Sequence, residues 1–474
     1  MDAKPTNVTA LVTAFLFFII GMPSTAQENA ESTIVTDEDA LFGEEDDSLG
    51  ETPEVSSMDS LFDSEDTPLI EEVTPSAGIA SSLLTSENVE LGGRYGFSTA
   101  SSWTWIPSDI ADDFTSPESE SILVDLSATL FFDARPVEEF RVFGKTSVLF
   151  PFDNQTGTRD FDDVFHIEEL FSDFTWRDLV FFRGGKHTIN WGVGYFFSPA
   201  DLLNITEIDP EDPEADREGP VSLKTHVPIG VHNFYLFLIA NDVETADELG
   251  IAAKAEFLLG PAEIGIGGLY QKDVAPSGML TVSLPLWDID FFGEAVLRYG
   301  SDKTFVEESD TDLLGVTAVS YGEELFFHAT AGLSFRYSFD EVDSSVSFFG
   351  QYLYNGEGYS DPAILQNNQP GIGALLGAGD LTVADLMSPG VHYVAVNAGW
   401  NGIFGSDFTL QAFWTQNFTD MSGYVSPAVS VDIIDYISLR VSVRYQFGEE
   451  GDEFSPIDDR VTAQIAVALG AGSF

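Results

Sequence analysis

The chain has 474 residues and no cysteine, so neither a disulfide framework nor a thiolate metal centre is available to it. Its 19 Lys and Arg stand against 79 Asp and Glu, a formal charge of -60. That balance argues against nucleic acid or anionic lipid as a partner, because both demand a basic surface.

The first element is an export signal. Val8 to Gly21 is an apolar run too short to cross a bilayer, preceded by Lys4 and followed by Ser24-Thr25-Ala26. The small-x-small site predicts a signal peptide over residues 1–26, cleaved after Ala26, with Asp2 offsetting Lys4 in a weak basic end. No later stretch reaches ~18 consecutive apolar residues, so an exported chain can enter a membrane only as a barrel. Residues 27–86 are expected to form an acidic, disordered periplasmic segment. Gln27 to Pro75 carry seventeen Asp and Glu and no Lys or Arg, a composition that cannot bury a core. Within it Asp39-Ala40-Leu41-Phe42 recurs loosely, twenty residues later, as Asp59-Ser60-Leu61-Phe62. These pairs are either docking motifs for a periplasmic partner or drift in a biased sequence.

Residues 87–474 read as an all-β, transmembrane, up-and-down antiparallel β-barrel. Units of ~10 residues alternate apolar and polar side chains and are joined by connections that are alternately short and long. In the clearest unit, Ile437, Leu439, Val441, Val443, Tyr445 and Phe447 share one face, while Ser438, Arg440, Ser442, Arg444 and Gln446 share the other. One face suits lipid and the other water. A soluble sandwich shows the same alternation but has no reason to keep the loop rhythm. Long connections are expected at Ser101 to Glu120, Pro151 to Asp163, His187 to Gly219, Gly300 to Glu324, Asn355 to Gly390 and Gly448 to Asp459. Tight ones are expected at Pro228 to Gly230, Gly260 to Pro261 and Trp287 to Asp288, among others. The count is about 18 strands, with 16 as the alternative, and an even number leaves both chain ends in the periplasm. The two weakest strands are Ala262 to Tyr270, rich in glycine, and Tyr424 to Ile433, which contains Pro427. Near the end, Val461, Ala463, Ile465, Val467 and Leu469 form one apolar face, and Phe474 joins it only if Gly470 and Gly472 bulge the strand.

Turning the less apolar face of each strand inward gives a set of pore-lining candidates: Arg141, Lys145, Lys224, Lys254, Glu256, Glu294, Arg298, Arg336, Arg440 and Arg444. Basic rings favour anions and acidic vestibules favour cations. Equally, lumen Arg and Glu can pair across strands and satisfy one another. Acids crowd the loops, at Glu207, Asp209, Glu211, Asp212, Glu214 and Asp216, and again at Glu307, Glu308, Asp310 and Asp312. None of these has the ordered spacing of an EF-hand, so solvated loops are preferred to a cation site.

The most distinctive segment is Gly184-Gly185-Lys186-His187-Thr188-Ile189-Asn190-Trp191-Gly192-Val193-Gly194-Tyr195-Phe196-Phe197-Ser198-Pro199-Ala200-Asp201-Leu202-Leu203-Asn204. Its Gly-Lys, then Trp-Gly, then aromatic-x-Pro-x-Asp-Leu order resembles a pattern of bacterial outer-membrane porin families. The resemblance implies an outer-membrane barrel and specifies no substrate. Trp191, Tyr195, Phe196 and Phe197 give the segment enough apolar surface to pack on a wall, and its glycines let the chain fold sharply inward. Two placements follow: an infolded constriction loop with Lys186 and Asp201 at its edges, or an aromatic rim at the membrane interface.

The six histidines sit in no Gly-x-Ser-x-Gly elbow or His-Glu-x-x-His pair, so no enzyme and no cofactor is expected. Trp176, Tyr195, Tyr299, Tyr337, Trp400, Trp414 and Tyr445 lie near strand ends, where an interface girdle places them. Two functions remain. One is a channel for passive or selective diffusion of small solutes. The other is a non-conducting outer-membrane protein whose acidic segment and long loops bind partners. Oligomeric state is open between trimer and monomer.

Overall fold

The computed structural model describes residues 89–107, 115–137, 139–151, 165–177, 179–241, 243, 245–310, 312, 314–339, 342–434, 437–457 and 459–473. The expected signal peptide, the acidic segment and Phe474 lie outside the described residues.

Alternation of side chains along each segment produces twenty strands in chain order. They are β1 (Val89–Trp105), β2 (Ser119–Val137), β3 (Phe140–Pro151), β4 (Phe165–Trp176), β5 (Val180–Lys186), β6 (Val221–Ile229), β7 (His232–Ile239), β8 (Gly250–Leu259), β9 (Ala262–Tyr270) and β10 (Ser277–Leu286). There follow β11 (Ile289–Tyr299), β12 (Thr304–Glu308), β13 (Val316–Ser320), β14 (Leu325–Ser338), β15 (Ser345–Tyr354), β16 (His392–Asn401), β17 (Phe408–Asn417), β18 (Gly423–Ile434), β19 (Ile437–Phe447) and β20 (Arg460–Ser473). All but β12 and β13 belong to one 18-stranded antiparallel sheet. Each of its strands pairs with its neighbours in the chain, β11 passing directly to β14, and β20 closes on β1, with Trp105 opposite Val461 and Ser98 opposite Ala468. Closure leaves no unpaired edge, which is what a sheet in hydrocarbon requires.

Short and long connections alternate around the barrel, as the sequence rhythm predicts. Three of the short ones are two-residue turns with a left-handed first position: Gly230 (φ 64), Gly260 (φ 67) and Trp287 (φ 59). Such turns match the twist of the strands they join.

The two faces of the wall differ in kind. Leu236, Leu238, Ile251, Ile266, Leu280, Leu297 and Phe327 hold outward positions and are exposed. Side chains of the opposite parity, including Phe237, Lys254, Met279, Glu294 and His328, are buried in the interior. Leaving one large aliphatic side chain in water forgoes roughly 1.5–3 kcal/mol. A continuous belt of them is stable only against acyl chains.

Both doubtful strands form. In β18 the ladder to β17 is continuous through Pro427, while the ladder to β19 skips Ser426 and Pro427, so the missing N–H is absent where no bond is made. Register shifts between Tyr95 and Phe97, opposite Gly470 and Ala471, which is a bulge in β20.

Other features differ from expectation. The first long loop is shorter than Ser101 to Glu120, because β1 and β2 stay paired as far as Thr104 and Ser119. There hydroxyl pairs, Ser102 with Ser121 at 2.6 Å and Thr104 with Thr462 at 3.0 Å, replace the apolar alternation. The connections after β11 and β15 are also structured. Glu307 and Glu308 lie in β12, which pairs with β13. Helices α1 (Ala363–Asn367) and α2 (Gln369–Ala378) pack on that hairpin through a small core of Val306, Val316, Ile372, Leu375 and Leu381.

Candidate functional site

The long β5–β6 connection holds the motif that stands out in the sequence. Its neck is closed by one asparagine: Ile189 N donates to Asn204 Oδ1 at 2.9 Å, and Asn204 Nδ2 donates back to Ile189 O at 2.7 Å. Lys186 Nζ donates to Glu218 Oε1 at 2.5 Å, and Thr188 Oγ1 to Arg217 O at 2.6 Å. Asp201 accepts two bonds from Asn204 Nδ2 at 3.0 Å and pairs with Arg217. The neck is therefore a rigid two-stranded stalk without being a strand pair.

Beyond the neck the segment runs through the barrel interior. Trp191, 1% exposed, meets Phe237 of β7 edge-on at 5.1 Å, and its carbonyl accepts a bond from Lys254 Nζ of β8 at 2.9 Å. Ile189, Ala200 and Leu203 join Phe237, Ile239, Ala252, Leu269, Met279 and Val296 in one apolar cluster against β7 to β11. Tyr195 stacks on Phe349 of β15 at 4.4 Å, Phe197 lies 6.3 Å from Tyr393 of β16, and Phe196 lies 5.8 Å from Phe413 of β17. Farther along, Glu211 pairs with Arg444 of β19. A segment rooted between β5 and β6 reaches inward-facing side chains on all these strands only by crossing the lumen.

Two buried polar side chains fasten it there. Glu294 of β11, 4% exposed, accepts bonds at Oε1 from Val193 N (2.5 Å), Gly194 N (2.7 Å) and Ser198 Oγ (2.9 Å), and at Oε2 from Ala200 N (2.9 Å). Gln351 of β15, 3% exposed, accepts at Oε1 from Tyr195 N (3.1 Å), Phe196 N (2.7 Å) and Phe197 N (3.3 Å), and donates from Nε2 to Phe197 O (2.5 Å) and Thr330 Oγ1 (2.6 Å). The loop backbone, which has no ladder partner of its own, is satisfied by the wall. Gly192 is needed for this fit, since a Cβ there would strike Ser198 Oγ and stand 2.5 Å from Glu294 Oε1.

The other charged candidates fall into four groups. Lys254 and Glu256 form a buried pair at 2.6 Å beneath the loop. On the β2 to β7 wall, Arg141 pairs with Asp133 (3.0 Å) and Asp173 (3.8 Å), Lys145 with Glu168 (3.0 Å) and Asp216 (2.7 Å), and Lys224 of β6 sits 5.2 Å over Tyr235 of β7. Arg183, not among the candidates, also binds Asp173, at 2.8 Å. Toward the other bank, Arg336 of β14 lies opposite Ser347, Arg444 lies 4.8 Å over Tyr424, and Arg440 Nη1 donates to Gln411 Oε1 at 3.0 Å.

Arg298 reaches Glu357 of the β15–β16 connection at 3.4 Å, where Ser301 Oγ (2.5 Å) and His328 Nε2 (3.2 Å) converge on the same carboxylate. Burial alone would raise Glu357, but the bonds from His328 and Ser301 and the charge of Arg298 hold it down at about 2. Serine and histidine both address the acid rather than each other, so the trio tethers loops instead of forming a nucleophile and base. Among the described residues no group of three or more His, Asp or Glu is arranged to hold a metal ion.

No family model matches this chain, and no curated protein does either. Solved structures similar to it include OmpT of Vibrio cholerae, at 12% identity and TM-score 0.38, covering 81% of this chain and 98% of that one. A BenF-like porin from Pseudomonas fluorescens Pf-5 is 10% identical with TM-score 0.43, covering 81% and 99%. OccK11 of Pseudomonas aeruginosa is 6% identical with TM-score 0.42, covering 80% and 95%.

Proposed function

We propose that this chain is an outer-membrane channel for small solutes, narrowed by the segment Trp191 to Asn204. The observation that carries the reading is the fastening of that segment across the lumen by Glu294 and Gln351. A barrel of this strand number is too wide for side chains to fill. Here the infolded segment covers the wall from β7 to β17 and is bounded by two ion pairs, Glu211 with Arg444 on β19 and Asp216 with Lys145 on β3. The passage then runs between those pairs along β20, β1 and β2. Its inner positions include the small or hydroxylic Ala466, Ala468, Ser98, Ala100, Ser127 and Thr129, with Asp125 opposite Ser98 and Leu123 opposite Ala100.

The even strand count puts both ends of the barrel with the short turns. We place that end in the periplasm, where the segment 27–86 and its Leu-Phe pairs meet water and any periplasmic partner. Lipid is then the partner of the outward belt. The test is single-channel conductance in planar bilayers for the full chain and for a deletion of Gly192 to Pro199. The deletion is expected to widen the open state, and unchanged conductance sinks the constriction.

A second reading has its own observation. The hairpin β12–β13 and helices α1 and α2 form a small core of their own, distinct from the cluster under the infolded segment, which suits an interaction protein. Liposomes that fail to swell in sugars or amino acids would favour it.

A further inference from the structure

The inner walls of the barrel are not charged alike. On β8 to β11, strand parity turns Glu256, Glu263, Asp290 and Glu294 inward with Lys254 and Arg298. On β15 to β20 the same parity turns Arg440, Arg444 and Arg460 inward, and among the described residues Asp432 is the sole carboxylate there. In a chain with 79 acids and 19 Lys and Arg this is a reversal of sign. Arg444 is neutralised by Glu211. Arg440, four residues away on the same face of β19, is exposed to the interior, and its described partner is the uncharged amide of Gln411, reached across β18 at Ser430. A guanidinium has five N–H donors in a planar fork. One is taken by Gln411 Oε1, and the side chain is otherwise exposed.

We infer that Arg440 is an oxyanion-binding station on the short-turn side of the constriction, taking a carboxylate or phosphate group of the passing solute. The inference rests on the channel reading and adds the substrate class. Gln411 holds the guanidinium plane against the wall so that its free edge meets the anion bidentately, the geometry in which arginine and an oxyanion bind best. Ser430 and Ser442 flank it with hydroxyls that can donate. Asp432, one inward position nearer the turn, repels an anion there, so the site is confined to the level of Arg440.

The test uses the full-length protein in planar bilayers under a KCl gradient, with inorganic phosphate or acetate added in separate arms. The wild type should be anion-preferring and blocked by at least one of the two, and the effective arm tells a phosphate site from a carboxylate site. R440Q should move the reversal potential toward that of a cation channel and raise the half-blocking concentration about tenfold, the loss of one charge-assisted hydrogen-bonded contact. R440K keeps the charge but loses the fork, so it should hold the reversal potential and still weaken block. R440Q with the reversal potential and block of the wild type overturns the inference while leaving the channel intact. If no current flows at all, the channel reading fails. Phosphate and acetate titration calorimetry in detergent then decides the site alone, equal heats from wild type and R440Q overturning it.

Discussion

Removing the Glu294 carboxyl should free the segment that crosses the bore. In Glu294→Ala, the amides of Val193, Gly194 and Ala200 and the hydroxyl of Ser198 lose their acceptor together. A buried polar group left without a partner costs about 1–3 kcal/mol, so the three amides amount to several kcal/mol. Water can relieve that cost only if the backbone leaves the wall, and the bore beside it supplies the water. Glu294→Gln keeps an oxygen for Val193, Gly194 and Ser198 but turns an NH2 toward Ala200 N, one opposed donor pair at about 1–3 kcal/mol. The expected order is therefore graded: larger and noisier open-state current in the alanine variant, and a smaller change in the glutamine variant. Heat-shifted migration in gels checks that the barrel has formed. If both variants assemble and conduct with wild-type amplitude and noise, the carboxyl does not hold the segment.

Gln351→Ala releases three further amides and should combine with Glu294→Ala more than additively, because the two fasten one segment; single-channel recording of the double variant checks it. Leu280→Arg on the outward belt should cost about 2–4 kcal/mol near mid-membrane, whereas Ser98→Arg on the inner face of β1 should assemble normally, and the yield of heat-modifiable barrel separates the two. Burial pushes the Glu453 carboxyl up to about 7, against the bonds from Tyr393 (2.8 Å) and Asn417 (2.8 Å) that it accepts. Its folded value lies above its unfolded one, so the stability it contributes to the β19–β20 connection is full below the ordinary carboxylate range and is lost as pH rises through about 7. Proteolysis of that connection should accelerate between pH 5 and 8, and Glu453→Gln should flatten the profile. Glu357 has the opposite sign: held at about 2, it contributes above the ordinary carboxylate value and fails only in strong acid.

The barrel was legible because its information is local. Strand identity rests on period-two alternation, and register follows from neighbours joined by short turns, so Ile437 to Phe447 or the Gly260-Pro261 turn needs no distant partner to be recognised. The site was half legible. Trp191 to Asn204 stands out as aromatic and glycine-rich, and parity turns Glu294 inward. That Glu294 would receive three loop amides, and that Gln351 would receive three more, depends on contacts 94 to 156 residues apart in the chain, which no periodicity encodes. The hairpin β12–β13 was hidden for a related reason. Its apolar residues are few, and they acquire a core only when α1 and α2, from a different connection, cover them.

The glycines of β9 connect these two levels. Read alone they weaken the strand, since glycine forgoes side-chain packing and costs more entropy on ordering. In the folded chain Gly267 lies under Trp191, where a Cβ would approach Trp191 Cζ2 to 3.3 Å and both Met279 Cε and the Ala253 carbonyl oxygen to 2.8 Å. Ala252 on β8, 1% exposed, thins the same patch of wall. The strand gives up an inward side chain at Gly267, between Glu263 and Leu269, so that an indole from another part of the chain can occupy that volume. Gly267→Val should therefore satisfy β-propensity and still displace Trp191. Its Cβ also presses on the Ala253 carbonyl of β8, so the yield of heat-modifiable barrel is measured beside the current, and the barrel that forms is expected to conduct like the deletion of Gly192 to Pro199. A Gly267→Val barrel with unaltered current would mean that the indole does not depend on that space.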